Sequence, residues 1–163
     1  MFLDCDGVLS PLGENGEMIE ARLFSNKNML ALKRIIDKTG ASIVLSSNWR
    51  LDEESRRRVQ DELRKYGIPP YFACTGVCSN RRFPGWTEKE CRWTEITDWL
   101  KRAAELFGLC VTQFVVLDDI DMRYINIERG SLVSFKHTIL VDGNAGLTEE
   151  NADEAITLLN KVK

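Results

Sequence analysis

Short apolar runs that alternate with amphipathic stretches limit the folds open to this chain more than any other feature. The runs contain no polar alternation, so they predict strands that are buried on both faces. Such strands, joined by helices, are typical of a parallel sheet with helices packed on both sides. The runs are Phe2-Leu3, Ser42-Ile43-Val44-Leu45, Phe114-Val115-Val116-Leu117 and Thr138-Ile139-Leu140-Val141.

Helical spacing of apolar residues, with a capping residue before it and often a glycine after it, predicts the elements between the strands. Residues 68 to 86 lack this periodicity and predict a loop with at most one short strand. The predicted helices run from Ser25 to Thr39, from Asp52 to Tyr66, from Thr87 to Gly108 and from near Thr148 onwards.

Length and charge exclude several classes of protein. A chain of 163 residues predicts one domain over residues 1–163. The formal net charge of −3 excludes a broad positive surface for non-specific nucleic-acid binding. The apolar runs are far shorter than the about 20 residues that a membrane span needs, and the first residues lack a signal-peptide pattern. We therefore expect a soluble cytoplasmic monomer without membrane contact.

The cysteines predict free thiols. There are five of them, which is an odd number, and they are scattered along the chain. Both features argue against a disulfide framework. Cys74, Cys78 and Cys91 could together bind zinc, but their spacing lacks paired Cys-x-x-Cys units, and the chain has only one histidine. We favour thiols over a zinc site.

Polar clusters follow three of the apolar runs directly. Because the carboxyl ends of parallel strands meet at one edge of a sheet, these clusters are expected to converge there. One acidic pair would be an ordinary turn or helix cap, whereas three clusters at the same edge point to a site. The clusters are Asp4 and Asp6, then Ser46, Ser47 and Asn48, and finally Asp118 and Asp119.

Carboxylates brought this close together repel one another and raise each other's pKa unless a cation joins them. A set of oxygen ligands suits Mg²⁺ better than zinc, because Mg²⁺ is commonly bound by one or two carboxylates, waters and a substrate phosphate. The serine hydroxyls and backbone N–H groups after the second strand supply donors for the remaining phosphate oxygens.

The same residues resemble the motifs of the haloacid dehalogenase (HAD) superfamily of phosphohydrolases. Asp4-Cys5-Asp6-Gly7-Val8-Leu9 resembles its first motif, Ile43-Val44-Leu45-Ser46 its second, and Val115-Val116-Leu117-Asp118-Asp119 its fourth. The order of these motifs spans nearly the whole chain. The segment Leu45–Arg50, together with Arg92-x-x-Glu95-Ile96, is similar to the small HAD-like domains grouped with Swiss Army Knife RNA repair proteins.

The resemblance implies a three-layer, Rossmann-like α/β fold and a covalent mechanism. Asp4 would be the nucleophile that forms an aspartyl-phosphate, and Asp6 would protonate the leaving oxygen and then activate water. Mg²⁺ would be held by the Asp4 side chain, the Asp6 backbone carbonyl and Asp118. Asp119 would be a ligand through water or would orient one.

The resemblance also implies a phosphate-binding loop after the second strand. Ser46 would bind the phosphoryl group, while Ser47 and Asn48 would shape the loop. Arg50 either anchors this loop through a carboxylate or contacts the substrate.

The superfamily's third motif supplies a basic side chain, and two residues compete for that role. Arg92 is the preferred candidate, from the Arg-x-x-Glu-Ile pattern, and Lys89 is the alternative. A surface ion pair of Arg92 with Glu95 or Glu88 is the non-catalytic interpretation.

Short connections leave no room for a large cap domain. About 15 residues follow Leu9 before the first predicted helix, and roughly 20 separate the second helix from the third, too few for a packed domain. The site should therefore be open to a phosphate carried by a large molecule, such as a nucleic-acid end or a phosphoprotein. Arg81, Arg82 and Trp86 could contact such a substrate.

A Mg²⁺-dependent phosphatase is accordingly the leading hypothesis. The alternative is a catalytically inactive phosphate- or RNA-binding module with the same fold, which has no chemical need for both Asp4 and Asp6. A response-regulator domain is disfavoured because its acidic pair follows the first strand as adjacent residues and its acceptor follows the third.

Overall fold

In the part of the chain that the structure describes, five parallel strands form the central sheet. The computed structural model describes residues 1–13, 24–78, 86–123, 125 and 135–161. The strand order is β3-β2-β1-β4-β5. The strands are β1 (Phe2–Leu3), β2 (Val44–Leu45), β3 (Ala73–Cys74), β4 (Val116–Asp118) and β5 (Thr138–Leu140). The loop predicted at 68 to 86 thus supplies the short edge strand β3, and the other strands lie within or next to their predicted runs.

Four helices lie at the predicted places in the described part of the chain. They are α1 (Asn26–Thr39), α2 (Glu53–Lys65), α3 (Glu88–Phe107) and α4 (Glu149–Leu159). Asp52 caps α2 by accepting a hydrogen bond from the Ser55 amide at 2.8 Å. Thr87 and Glu90 form a capping box at the start of α3. Short 3₁₀ turns cover Asn48–Leu51 and Phe135–His137.

The two faces of the sheet pack against different helices. Leu3, Leu45 and Leu117 lie in a buried cluster with the apolar faces of α1, α2 and α4. Their neighbours along the strands point the other way, because successive side chains alternate. Phe2 and Val44 therefore pack with α3 on the opposite face. This three-layer α/β arrangement confirms the expected fold class.

No separate cap domain covers the sheet edge within the described ranges. Residues 14–23 and 79–85 lie outside those ranges, and with them Arg81 and Arg82. Trp86 is described and is half-buried. None of the helices in the described part is both long and apolar enough to span a membrane.

All five cysteines are free thiols. Cys5 and Cys91 are buried, Cys74 and Cys78 are half-buried, and Cys110 is exposed. Among the described residues, the one group of acidic, histidine or cysteine side chains close enough to share a metal contains no cysteine.

Candidate functional site

A tight turn after β1 presents the first acidic pair. The Cys5 carbonyl accepts hydrogen bonds from the amides of Val8, Leu9 and Ser10 at 2.8 to 3.2 Å. The Asp4 carboxylate is buried, and its Oδ1 accepts from the Cys5 amide at 2.9 Å. The turn therefore fixes the side chain of Asp4 at the end of the central strand.

Hydrogen bonds between strands bring the other clusters to the same level. The Asp4 amide donates to the Leu117 carbonyl at 3.0 Å, and the Ser46 amide donates to the Leu3 carbonyl at 3.0 Å. Because β1 lies between β2 and β4, Asp4 is flanked by Ser46 on one side and Asp118 on the other. The structure thus brings together ends of strands that lie more than a hundred residues apart in sequence.

Three carboxylates meet at this edge, and we call Asp4, Asp118 and Asp119 the acid cluster. One oxygen from each lies within 4.8 Å of the others. Arg92, from the start of α3, reaches into the cluster: its Nη1 lies 2.6 Å from Asp118 Oδ2 and 3.2 Å from Asp4 Oδ2. The guanidinium side chain is only 3 % exposed. Lys89, the other candidate for the third motif, lies near Asp121 instead. Hydrogen bonds from Arg123 are the main cause that lowers the pKa of that carboxyl, and Lys89 adds a smaller effect.

Burial and a neighbouring carboxylate disfavour the charged forms of Asp118 and Asp119. Burial, followed by repulsion from Asp4, raises the pKa of Asp118 to about 8. The same two causes raise the pKa of Asp119 to about 6. For Arg92, burial alone would lower the pKa, but the neighbouring Asp118 and Asp4 carboxylates outweigh it and raise the pKa.

Asp119 fits against two glycines. Gly7 has a φ of +71°, and a Cβ placed on it would lie 2.2 Å from Asp119 Oδ2. A Cβ on Gly143 would lie 3.0 Å from the same oxygen. Gly7 is therefore required both by its left-handed backbone and by the close approach of a cluster carboxylate.

The donor set fits a hard divalent cation. The three carboxylates are close enough to share one ion. Burial, followed by repulsion from Asp4, raises the pKa of Asp118 and of Asp119, and a bound cation would favour their charged forms. Oxygen ligands of this kind suit Mg²⁺. The Asp6 carboxylate is not part of this group, so its expected contribution through the backbone carbonyl stays a prediction.

The predicted phosphate loop follows β2 directly. Ser46 is fully buried, and its hydroxyl has no hydrogen-bond partner among the described residues. The hydroxyl of Ser47 accepts from the Trp49 amide at 3.3 Å and so caps the 3₁₀ turn. Asn48 is exposed and donates weakly to Glu88 at 3.4 Å. An unsatisfied buried hydroxyl is costly, so Ser46 keeps a free donor for a ligand, although of these three residues only Asn48 lines the cavity described below.

Arg50 is an anchor of this loop. Its Nε donates to the Thr75 carbonyl at 3.2 Å, and its Nη2 lies 2.6 Å from Glu95 Oε2. Its five N–H groups face five acceptors, so none is left over for a phosphate in this arrangement. The remaining acceptors are the carbonyls of Ser46, Ser47 and Gly76. Of the two roles expected for Arg50, the structure supports anchoring through a carboxylate.

Asp6 has a partner that the sequence analysis did not identify. The indole N–H of Trp49 donates to both carboxylate oxygens of Asp6, each at 3.0 Å. Trp49 lies in the segment Leu45–Arg50, but its position in the sequence does not indicate that its ring reaches the turn after β1.

A small cavity of about 170 Å³ opens where these groups meet. Glu88, at the start of α3, is a further wall residue that the sequence analysis did not select. The cavity is lined by Asp4, Asp6, Asn48, Glu88, Arg92, Asp119 and Ile120.

Comparison with known proteins agrees with this geometry. The model of the family described as "HAD domain in Swiss Army Knife RNA repair proteins" matches residues 1–152. No curated protein and no solved structure is significantly similar to the chain. The family match covers both acidic pairs, the loop after β2 and Arg92, and the strand order and three-layer packing agree with it. The chain therefore belongs to the HAD domain family of Swiss Army Knife RNA repair proteins.

Proposed function

We propose that this HAD-like hydrolase is a Mg²⁺-dependent phosphatase that acts through an aspartyl-phosphate on Asp4. The observation that supports this most directly is the convergence of Asp4, Asp118 and Asp119 with Arg92 beside a cavity. An inactive module would not need a buried nucleophile held on both oxygens, one by the Cys5 amide and one by Arg92.

In the first step an oxygen of Asp4 attacks phosphorus, and the bond from phosphorus to the leaving oxygen breaks. Asp6 gives its proton to that oxygen. In the second step Asp6 takes a proton from water, whose oxygen attacks phosphorus and releases Asp4 and inorganic phosphate. Arg92 offsets charge on Asp4, and the Ser46 hydroxyl donates to the phosphoryl group.

Mg²⁺ would be held by Asp4, Asp118 and Asp119, with the Asp6 carbonyl as a further ligand, and would supply charge neutralisation for the phosphate. The buried positions of Asp4 and Asp118 keep these ligands in place, since each also accepts a backbone amide.

We expect a large phosphorylated substrate. The cavity lies at an edge of the sheet that no separate cap covers within the described ranges, and the family is named for RNA repair proteins. A nucleic-acid end is therefore our first choice, with a phosphoprotein as the alternative. A cytoplasmic location and a monomeric state stay predictions.

Hydrolysis of p-nitrophenyl phosphate, with Mg²⁺ and with excess chelator, tests the proposal. We expect chelation to abolish turnover because it removes the cation that neutralises the phosphate charge. Asp4→Asn should abolish turnover because it removes the nucleophile. Arg57→Ala is the control, since Arg57 is 75 % exposed on α2, and it should leave the rate unchanged. Unchanged rates in chelator would refute the mechanism. No turnover together with tight RNA binding would favour the binding module.

Phosphorylated oligonucleotides, with the phosphate at the 3′ or the 5′ end, and phosphopeptides then identify the substrate class. A kcat/KM for one oligonucleotide at least tenfold above that for the phosphopeptides would support a nucleic-acid end.

A further inference from the structure

The partner of Asp6 is a tryptophan whose own position is fixed. Trp49 is 4 % exposed, and its ring packs against Phe24 with centroids 5.1 Å apart. The backbone amide of Trp49 is tied to the Ser47 hydroxyl, and Arg50 fastens the same turn to Thr75 and Gly76. The indole therefore reaches the turn after β1 from a rigid support.

The contact itself constrains the carboxylate of Asp6. Its two oxygens are equally distant, 3.0 Å each, from one N–H, which sets both the position and the rotation of the carboxylate. Asp6 is half-buried and lines the cavity beside Asp4. Its carboxylate is not one of the three that are close enough to share an ion, and it accepts the indole N–H of Trp49 with both oxygens.

We propose that Trp49 is a positioning residue, which holds the Asp6 carboxyl where it can protonate the leaving oxygen. This inference rests on the proposed function, because it assigns Trp49 a part in the step that Asp6 performs. Small displacements of a reacting group are costly in rate. The loop that offers Ser46 to the phosphate thus also fixes the acid, through the turn that follows it.

The test uses the basicity of the leaving group. Protonation by Asp6 matters for an alkoxide, which leaves poorly, and matters little for p-nitrophenolate. The measured quantity is kcat/KM, because it depends only on the steps up to release of the leaving group. The later hydrolysis of the aspartyl-phosphate does not affect it. Trp49→Phe keeps a ring against Phe24 and removes the N–H.

For Trp49→Phe we expect kcat/KM to fall at least about tenfold with an alkyl phosphate and less than about threefold with p-nitrophenyl phosphate, since general acid catalysis contributes about 10²–10⁴. Asp6→Asn should show the same selectivity with a larger loss. Phe24→Leu loosens the support of the indole but keeps its N–H, so it should show the same selectivity with a smaller loss than Trp49→Phe. Arg57→Ala, exposed on α2, is the control and should leave kcat/KM unchanged with both substrates.

Equal losses with both substrates for Trp49→Phe would overturn the inference and leave the phosphatase proposal intact. Absence of phosphatase activity in the unaltered protein would instead overturn the proposed function and this inference with it. If Trp49→Phe does not fold, benzothienylalanine at position 49, which replaces the N–H by sulfur in a ring of the same shape, decides between the same two outcomes.

Discussion

Two buried arginines near the loop after β2, Arg50 and Arg92, have different hydrogen-bond partners. Arg50, together with Glu95 and the carbonyls that it binds, forms what we call the arginine clamp. Its acceptors are one carboxylate and four neutral carbonyls. Arg92 contacts two carboxylates of the acid cluster and lines the cavity. Both side chains are 3 % exposed, so burial does not distinguish them.

The charge balance does distinguish them. Burial lowers the pKa of Arg50, and its carboxylate partner Glu95 offsets this only in part. The pKa of Arg92 is raised, because Asp118 and Asp4 together outweigh its burial. A buried cation saturated by carbonyls holds loops together. Arg92 instead pairs with two carboxylates at the wall of the cavity, where a bound substrate would come close to it.

The largest expected effect is on the stability of the arginine clamp. Arg50→Gln leaves the Glu95 carboxylate buried without its cation, which should lower the free energy of unfolding by about 3–5 kcal/mol in urea titrations. Glu95→Gln in the same chain should recover part of the loss. The exposed pair of Arg57 with Glu53 is the control, and Arg57→Gln should change the free energy by less than about 0.5 kcal/mol. An equally small effect of Arg50→Gln would show that the clamp is not structural.

The next effect is on catalysis at the acid cluster. Arg92→Gln should lower kcat/KM for p-nitrophenyl phosphate by about 10²–10³, the usual cost of removing one donor that stabilises transition-state charge. Arg92→Lys should retain more activity because it keeps the charge. Lys89→Gln is the matched control on the same helix turn. Rates should be normalised to the folded fraction, and a greater loss for Lys89→Gln than for Arg92→Gln would reverse the assignment.

The smallest expected effects are those of alanine substitutions at two glycines. Comparing them separates the cost of backbone strain from the cost of a contact with the acid cluster. Gly7 and Gly40 both have positive φ, +71° and +63°, but a Cβ on Gly40 would meet nothing within 4 Å. Gly40→Ala should cost about 1–2 kcal/mol of stability from strain alone. Gly7→Ala should cost more, because Asp119 must move, and should raise the Mg²⁺ concentration needed for half-maximal rate. An unchanged Mg²⁺ requirement in Gly7→Ala would remove Asp119 from the metal site.

Much of this architecture could be predicted from local patterns. Helix caps such as Asp52 and Thr87 act within one turn, so their sequence signature is short and specific. The convergence of Asp4 with Asp118 could also be predicted, because parallel strands end at a common edge. Asp6, predicted as the acid and as a ligand through its backbone carbonyl, lines the same cavity as Asp4 and Asp119. Its carboxylate is not one of the three that are close enough to share an ion.

What local patterns could not predict are contacts between side chains from distant segments. The sequence around Arg50 and around Arg92 does not tell their roles apart, because each arginine has a glutamate three or four residues away that could pair with it. Only the packing of α3 against β1 and β4 brings Arg92 to the acid cluster, and only the position of β3 supplies the carbonyls that saturate Arg50.

The sequence by itself determined the layered α/β fold and the edge at which the polar residues gather, because hydrophobic periodicity and strand direction are properties of contiguous segments. The tertiary structure decided which arginine faces the carboxylates, that Trp49 holds Asp6, and that Gly7 makes room for Asp119. Those pairings depend on distances of a few ångströms between elements, and no spacing along one chain encodes them.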